Sequence, residues 1–334
     1  MGFPADCHIL STVEASRLRD EPRAALTSVG NGAERIPGWG TLPEVCARLT
    51  VGAIVIAFPA TPQLLRRLAC AAGRRGCRFY VAPPSAREPA PETPPADPFS
   101  AHGLLEAPTE AVAGASTAAH PFGRRALDIV ASLALMIVTL PIVLAAAAAI
   151  GVESRCAPFF VQTRVGRAGK TFRMFKLRTM QPESPPFARS PAAGDPGVTR
   201  VGRLLRTAGL DELPQLINIL RGEMTLVGPR PEMPFIVAQY SALQRERLAV
   251  VPGLTGLWQL RGDRHAAIHD QIEYDMYYIA FRSASLDARL VAETVLFALR
   301  GCRRVLLSAL SRSAAGHANP PSRHAPTSPV APRD

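Results

Sequence analysis

The spacing of apolar residues over the first hundred positions predicts a small α/β unit. Residues 51–58 form a short run rich in β-branched side chains, which is typical of a buried strand. A helical spacing follows over residues 62–72, with Thr61 in position to cap the helix, and residues 78–82 have the composition of a second strand. We therefore expect a partial Rossmann-like α/β domain within residues 1–83. Because this segment has no GxGxxG motif, we do not assign it a bound dinucleotide.

Segments rich in proline and other small residues divide the rest of the chain. Residues 84–120 are expected to form a linker, residues 182–196 a mobile loop and residues 303–334 a mostly disordered tail, because such compositions favour irregular backbone. Between the linker and the tail, residues 121–302 carry mixed helical and strand patterns, which predict an α-rich (α+β) domain.

The most apolar stretch of the chain is residues 126–152, which is long enough to cross a bilayer and has one charged residue, Asp128, near its start. Arg124 and Arg125 precede it, and a strongly basic region follows it. Because positive charges favour the cytoplasmic side of a membrane, basic flanks at both ends favour a segment that enters and leaves the same leaflet.

Pro141 lies in the middle of this stretch and predicts a break in the helix, because proline removes one helical hydrogen bond and opposes a straight helix. Thr139 is in position to satisfy backbone groups freed by the break. A re-entrant hairpin is therefore the expected structure. A simple span and a buried helix of a soluble core are the alternatives, since length alone does not separate them.

Composition adds a basic excess, with 38 Lys and Arg against 27 Asp and Glu and a net charge of +11 over 334 residues. Such an excess indicates an anionic partner: nucleic acid, an anionic membrane surface or a phosphorylated substrate. Aromatic residues make up 6%, too few for an obvious base-stacking platform. A solvated Arg-rich surface is the alternative explanation. The six cysteines form no CxxC pair, which fits a reducing compartment.

The basic residues concentrate between Arg155 and Arg206, where eleven Lys and Arg accompany two acidic residues. On a short strand Lys176 and Arg178 would share one face, and such a pair can hold a diphosphate. A solvated charged face is the alternative interpretation.

Two adjacent carboxylates, Asp211 and Glu212, precede a helical pattern that ends at Gly222. In one interpretation Asp211 is an N-cap and Glu212 is favoured by the helix dipole. The other interpretation is chemical: a carboxylate can attack phosphorus, a helix N-terminus favours phosphates, and an adjacent carboxylate helps to hold Mg²⁺. Arg206 is near enough in sequence to steady a phosphoryl group.

Two downstream turns carry further candidates. Residues 227–231 present Arg230 between two prolines, either as a binding group or as an exposed residue of a structural turn. Residues 252–259 form a Gly-containing loop that either shapes a substrate pocket or packs against the fold.

Seven segments, in this order, resemble the catalytic domain of the bacterial sugar transferases, which are monotopic polyprenyl-phosphate phosphoglycosyl transferases. The matching segments are residues 124–128, 162–166, 175–180, 199–203, 210–215, 222–231 and 252–256. Each segment alone is weakly specific, but the ordered set is specific.

The resemblance implies a re-entrant membrane helix broken at Pro141. It also implies Asp211 as nucleophile and Glu212 as its acidic partner, with both holding a required Mg²⁺. Four basic residues are implied to line the phosphate site: Lys176, Arg178, Arg206 and Arg230. The implied reaction moves a sugar-1-phosphate from a UDP-sugar to undecaprenyl phosphate through an aspartyl-phosphosugar intermediate, releasing UMP. The implied place is the cytoplasmic face of the bacterial inner membrane, in the first membrane step of exopolysaccharide or glycoconjugate synthesis. No nucleic acid is expected, and a homo-oligomer is left open.

The chain departs from the family pattern at two places. Residues 156–158 are Cys-Ala-Pro in place of Gly-Gly-Pro, and Thr225 replaces a common serine, neither of which removes a charge. Residues 36–83 resemble part of the cytosolic domain of larger members, without the transmembrane helices that precede it there. A truncated long form or a shortened natural variant is therefore expected.

Three other classes of protein are weighed against the enzyme. The main alternative is a membrane scaffold or regulator that keeps the fold without turnover, which the intact Asp211 and Glu212 pair disfavours. A nucleic-acid-binding protein is disfavoured by the few aromatic residues and the long apolar stretch. A P-loop kinase is disfavoured because no GxxxxGK[ST] motif occurs.

Overall fold

The computed structural model describes residues 7–11, 34–35, 51–56, 60–74, 76–81, 105–107, 121–184, 195–261 and 267–316. A five-stranded sheet forms the N-terminal unit, with the strand order β2-β1-β3-β4-β5. Its strands are β1 (Cys7–Ser11), β2 (Glu34–Arg35), β3 (Val51–Ile56), β4 (Arg78–Val81) and β5 (Leu105–Ala107). Helix α1 (Pro62–Gly73) joins the parallel strands β3 and β4, and the Thr61 side chain caps it. The predicted strand–helix–strand order is confirmed.

β5 lies inside the predicted linker, residues 84–120, and extends the sheet as an antiparallel neighbour of β4. Its apolar residues Leu105 and Ala107 are buried. The linker prediction is therefore wrong at β5, because a three-residue strand gives almost no alternation in a segment otherwise rich in proline and alanine. Residues 36–43, the rest of the predicted linker up to residue 120, and residues 317–334 lie outside the described residues.

Helix α2 (Pro121–Ser154) is continuous through Pro141, so the break predicted at that proline is not seen. The Thr139 hydroxyl donates to the Leu135 carbonyl at 2.7 Å, one turn earlier, and not to a group freed by the proline. Proline removes a single backbone hydrogen bond, and a long apolar helix can continue past that loss.

One stripe of α2 is buried and the other faces are exposed. The buried residues recur at helical spacing: Asp128, Ser132, Thr139, Ala146 and Ile150. Large apolar side chains cover the remaining surface, and Ile137 and Val138 are 72% and 70% exposed. Gly123–Ser154 is the one helix in the described part of the chain that is long and apolar enough to cross a membrane.

Both ends of α2 bind the same body of the protein. Near the start of the helix, Arg124 donates to the Val227 carbonyl at 2.6 Å and pairs with Asp287 at 3.3 Å. Near its end, Glu153 accepts a hydrogen bond from the Arg200 backbone N–H at 2.8 Å. A helix of 34 residues is about 51 Å long. The rest of the domain therefore extends along most of the helix.

Four further elements follow α2: an antiparallel hairpin of β6 (Phe159–Val165) and β7 (Thr171–Leu177), then α3 (Arg200–Ala208) and α4 (Leu216–Arg221). A 3₁₀ segment, Leu210–Gln215, connects α3 to α4. Asn218 joins α4 to β7, because its amide group donates to the Arg173 carbonyl at 2.7 Å and accepts from the Phe175 N–H at 3.1 Å. This contact fixes the strand that carries Lys176.

Short elements build the next part of the chain: β8 (Thr225–Val227), α5 (Pro234–Val237), α6 (Ala242–Arg245), β9 (Gly253–Thr255) and α7 (Leu257–Arg261). β8 and β9 pair in parallel. A Cβ atom at Gly253 would lie 2.0 Å from the Gly228 nitrogen, so only glycine permits this approach. The loop at residues 252–259 thus packs against the segment that carries Arg230.

Helices α8 (Ile272–Phe281) and α9 (Ala284–Gly316) complete the described chain. α9 continues past the predicted domain boundary at residue 302, so residues 303–316 are helical where a tail is predicted. α8 is buried along its length and shares one hydrophobic cluster with the N-terminal unit. Arg66 of α1 also donates to the carbonyls of Ala280 and Ile279, at 2.8 and 2.9 Å. The two predicted domains therefore share a core.

Candidate active site

The carboxylate pair, Asp211 and Glu212, lies in the first turn of the 3₁₀ segment. α3 ends at Ala208 and is capped by Gly209, whose φ of 68° is in the left-handed region that favours glycine. Gly209 is also the N-cap of the 3₁₀ segment, and Gln215 is the N-cap of α4. The interpretation of Asp211 as an N-cap is therefore wrong, and capping does not explain why an acidic residue stands there.

Two cations hold Glu212. Its Oε1 accepts from Lys176 Nζ at 3.0 Å and from Arg230 Nη2 at 2.5 Å, and its Oε2 accepts from Arg230 Nη1 at 3.2 Å. Burial by itself would raise the pKa of Glu212, but Arg230 and Lys176 outweigh it and lower the pKa well below its ordinary value. Glu212 is consequently ionised and fixed in position at neutral pH.

Asp211 is buried, at 9% exposure, and its carboxylate has no hydrogen-bond or ion-pair partner within the residues that the structure describes. Lys176, Arg206 and Arg230 act on it through their charges. Burial, followed by the negative charge of Glu212, nevertheless raises the pKa of Asp211 above its ordinary value. A carboxylate without hydrogen bonds keeps its lone pairs available, as a nucleophile requires.

Three of the four predicted phosphate-site residues surround the pair. Lys176 comes from β7 and Arg230 from the turn after β8, and both contact Glu212. Arg206 lies in the last turn of α3, where its Nε donates to Thr179 Oγ1 at 2.8 Å. Burial lowers the pKa of Lys176, and Glu212 opposes that effect.

The fourth predicted residue, Arg178, is directed elsewhere. β7 ends at Leu177, so Arg178 leaves the strand geometry that would place it on the same face as Lys176. Its Nε donates to the Ala157 carbonyl at 2.9 Å, and its guanidinium carbon lies 5.9 Å from the centre of the Phe160 ring.

Arg247, which the sequence analysis does not single out, binds the backbone of the turn that carries Arg230. It is buried and pairs with Glu232 at 3.0 Å and with Asp275 at 2.6 Å. Its Nη2 donates to the Arg230 carbonyl at 2.9 Å. The charged residues of this network lie far apart in the chain, so no local sequence pattern predicts the network. Arg164 of β6 also reaches this turn, and it lies within one of the segments that carry the resemblance.

The pair can serve as part of a Mg²⁺ site. Among the described residues there is no group of three or more His, Cys, Asp or Glu side chains placed to hold a metal ion. Mg²⁺ is often bound by one or two carboxylates, with substrate phosphates and water as further ligands. Asp211 fits that role because its oxygens have no partner among the described residues. Glu212 Oε1 accepts two hydrogen bonds and Oε2 accepts one, so Oε2 keeps a lone pair with which Glu212 can join the site.

The arrangement suits attack on the phosphorus of an anionic substrate. Asp211 is the candidate nucleophile, and the cations around it can offset the charge of a phosphate group. The exposed apolar surface of α2 places this chemistry beside a surface suited to lipid.

Comparison with known proteins covers the same part of the chain. A family model described as bacterial sugar transferase matches residues 119–301. Over 181 residues the chain is 44% identical to the UDP-glucose:undecaprenyl-phosphate glucose-1-phosphate transferase of Caulobacter vibrioides, covering 52% of this chain and 68% of that protein. Over 189 residues it is 37% identical to the UDP-N-acetylgalactosamine-undecaprenyl-phosphate N-acetylgalactosaminephosphotransferase of Aeromonas hydrophila, covering 54% of this chain and 45% of that protein.

A shorter relative is matched over nearly its whole length. The exopolysaccharide production protein PSS of Rhizobium leguminosarum bv. phaseoli is 37% identical over 185 residues, which cover 52% of this chain and 92% of that protein. The match to the longer Aeromonas relative, in contrast, spans less than half of that protein.

Proposed function

This chain belongs to the bacterial sugar transferase family, whose members are enzymes, and we propose that it transfers a sugar-1-phosphate from a UDP-sugar to undecaprenyl phosphate with release of UMP. The relatives are named for different sugars, glucose and N-acetylgalactosamine, so the proposal concerns the class of reaction. The observation that carries it is the buried Asp211 carboxylate, which has no partner in the described chain and lies beside a Glu212 fixed by two cations.

The proposed reaction has two displacements at one phosphorus atom. Asp211 attacks the phosphorus that bears the sugar, and the bond from that phosphorus to the bridging oxygen breaks, so UMP leaves with the electron pair. The product is an acyl phosphate that joins Asp211 to the sugar. A phosphate oxygen of undecaprenyl phosphate then attacks the same phosphorus. The Asp211 carboxylate is released, and a diphosphate-linked lipid sugar is formed.

The neighbours of Asp211 have separate parts in this scheme. Arg230 and Lys176 fix Glu212, and their charges also favour a phosphate group beside Asp211. Arg206, five residues before Asp211, adds a further positive charge. We propose that Asp211 and Glu212 hold Mg²⁺ with the substrate phosphates, as the resemblance implies. When bound, the ion would offset negative charge on the phosphates.

We place the enzyme at the cytoplasmic face of the bacterial inner membrane. The basic flanks of the apolar segment favour the cytoplasmic side. Arg124 and Glu153, at the two ends of α2, both bind the same body of the protein. The hydrocarbon core of a bilayer is about 30 Å thick. A transverse span would put the two ends on opposite sides, which conflicts with their shared attachment. A helix held within one leaflet removes the conflict and keeps the apolar faces in lipid.

Incubation of the full chain with undecaprenyl phosphate and a panel of UDP-sugars tests the proposed activity. We expect release of UMP and formation of a lipid-linked sugar with at least one donor, and loss of both on chelation by EDTA until Mg²⁺ is restored. Full activity in EDTA would remove the metal from the proposal. No release with any donor, from protein that is folded and membrane-bound, would favour the scaffold alternative.

A further inference from the structure

Arg164 is a partly buried arginine on β6 whose hydrogen-bond partners among the described residues are all neutral. Its Nε and Nη2 donate to Gln162 Oε1, at 3.1 and 2.6 Å, and its Nη1 donates to the Pro231 carbonyl at 3.2 Å. Over the described ranges, no carboxylate oxygen lies within 4.0 Å of its guanidinium nitrogens. Arg164 therefore lacks the direct counter-ion that buried arginines usually have.

The surroundings of Arg164 do not favour its positive charge. Burial, followed by the like charge of Arg230, lowers the pKa of Arg164 to about 10. The carboxylates that act on it are already committed, Glu212 to Arg230 and Glu232 to Arg247. A partly buried cation beside another cation is stabilised when a ligand supplies the missing negative charge.

The guanidinium also keeps hydrogen-bond donors in reserve. It carries five N–H groups, and its contacts to Gln162 and Pro231 use three of them. Those contacts hold the plane of the group, so the two remaining donors are preorganised for an anionic oxygen. Arg164 interacts through its charge with Arg230 and Glu212, and also with Lys176. The guanidinium therefore lies near the group of charges that holds Glu212.

We infer that Arg164 binds a phosphate oxygen of a substrate in the site formed by Asp211, Glu212 and Arg230. This inference rests on the proposed function. Two substrates share the required chemistry: the UDP-sugar, through its diphosphate, and undecaprenyl phosphate, through its phosphate monoester. In either case Arg164 contributes to the affinity for that substrate, and the phosphate provides the negative counter-ion of the guanidinium.

Three variants of the full chain test the inference. Arg164→Gln removes the charge, and Arg164→Lys keeps the charge but loses the planar fork of donors. Arg173→Gln is the matched control, because Arg173 is an exposed arginine on the neighbouring strand. Three measurements are made: UMP release from UDP-sugar without acceptor, the KM for each substrate in the complete reaction, and calorimetric binding of UDP, which needs no turnover.

We expect Arg164→Gln to raise the KM for at least one substrate by about tenfold or more, as loss of a charge-assisted hydrogen bond does. Arg164→Lys should recover part of this loss, and Arg173→Gln should behave as wild type. Slower acceptor-free release with weaker UDP binding assigns Arg164 to the donor diphosphate. Unchanged release with a higher KM for undecaprenyl phosphate assigns it to the acceptor.

Other outcomes separate this inference from the proposed function. If the wild type transfers sugar phosphate and Arg164→Gln changes neither KM nor UDP affinity, the inference is overturned and Arg164 only braces the turn at Pro231. A loss of kcat alone, unrelieved in Arg164→Lys, overturns it in the same way. If the wild type releases no UMP but its UDP binding depends on Arg164, the proposed function fails and the anion site remains. If the wild type neither releases UMP nor binds UDP in a way that depends on Arg164, both the proposed function and the inference fail.

Discussion

Asp211 and Glu212 are adjacent in the chain, but their carboxylates have different surroundings. Glu212 accepts hydrogen bonds from Lys176 and Arg230, which overcome the effect of burial and lower its pKa. Asp211 receives the charges of the same cations but no hydrogen bond from the described part of the chain, and burial followed by Glu212 raises its pKa. The fixed carboxylate is thus Glu212, and the carboxylate open to reaction is Asp211.

This difference predicts the pH dependence of the first half-reaction. A nucleophilic carboxylate must be ionised, so acceptor-free UMP release should fall as the pH drops through the pKa of Asp211, above its ordinary 3.8. Glu212→Gln removes a negative charge that raises this pKa, so the acid limb should move to lower pH even though the maximal rate falls. The burst rate of UMP release is measured against pH for the wild type and for Glu212→Gln, which gives the acid limb of each. The acceptor is omitted so that the phosphate of undecaprenyl phosphate does not titrate. A limb that stays in place in Glu212→Gln would contradict the coupling.

The sequence predicts only part of this site, for local geometric reasons. Lys176 and Asp211 are identifiable because short segments around them resemble the family. Arg178 belongs to the same segment as Lys176, yet the strand ends between them, and strand periodicity does not show where a strand stops. Arg247 acts through Glu232 and Asp275, which lie 15 and more residues away, so no short pattern contains the network.

Among the elements, α2 provides the apolar surface by which we propose that the protein binds the membrane. Its buried stripe packs on the domain from Asp128 to Ile150, and its other faces expose large apolar side chains. Hydropathy predicts the apolar segment correctly, but it does not identify the polar residues that bind the two ends of α2. The contacts of Arg124 and Glu153 come from distant parts of the chain, at residues 227, 287 and 200.

Cysteine labelling tests the placement of α2 in one leaflet. Gly123→Cys and Ala157→Cys, in a chain whose native cysteines are replaced, lie at exposed positions on either side of the apolar segment 126–152. An added Cβ at Gly123 meets no atom within 4 Å. Because both flanks are expected to face the cytoplasm, a membrane-impermeant maleimide should label neither in intact cells. Both should be labelled after lysis, which is the control for reactivity. Labelling of either one in intact cells would indicate an ordinary span.

For the whole molecule, the N-terminal unit and the catalytic part share one hydrophobic cluster. Arg66 of α1 donates to two carbonyls at the end of α8, and α8 in turn supplies Tyr278, whose hydroxyl donates to the Val227 carbonyl at 3.0 Å. Val227 leads into the turn that carries Arg230. Periodicity predicts α1 and the strands beside it, but the identity of the surface that α1 covers depends on the folded chain.

The shared core predicts that both parts unfold together. Arg66→Met should lower the free energy of unfolding by about 2 kcal/mol, because two charge-assisted hydrogen bonds to carbonyls are lost. Arg67→Met is the matched control, since Arg67 is exposed on the same helix, and it should have little effect. Denaturant titration followed by circular dichroism measures both. Equal values for the two variants, or two separate transitions in the wild type, would contradict a single core.

The central claim, that Asp211 is the nucleophile, is tested most directly by intact-protein mass spectrometry after incubation with UDP-sugar in the absence of acceptor. The wild type should gain the mass of one sugar phosphate and release one equivalent of UMP. Asp211→Asn should do neither, and its turnover should fall on the order of a thousandfold or more. It should still fold, because no hydrogen bond to Asp211 is lost in the part of the chain that the structure describes. Asp270→Asn, an exposed control, should behave as wild type. An Asp211→Asn protein that still gains the sugar phosphate would contradict the assignment.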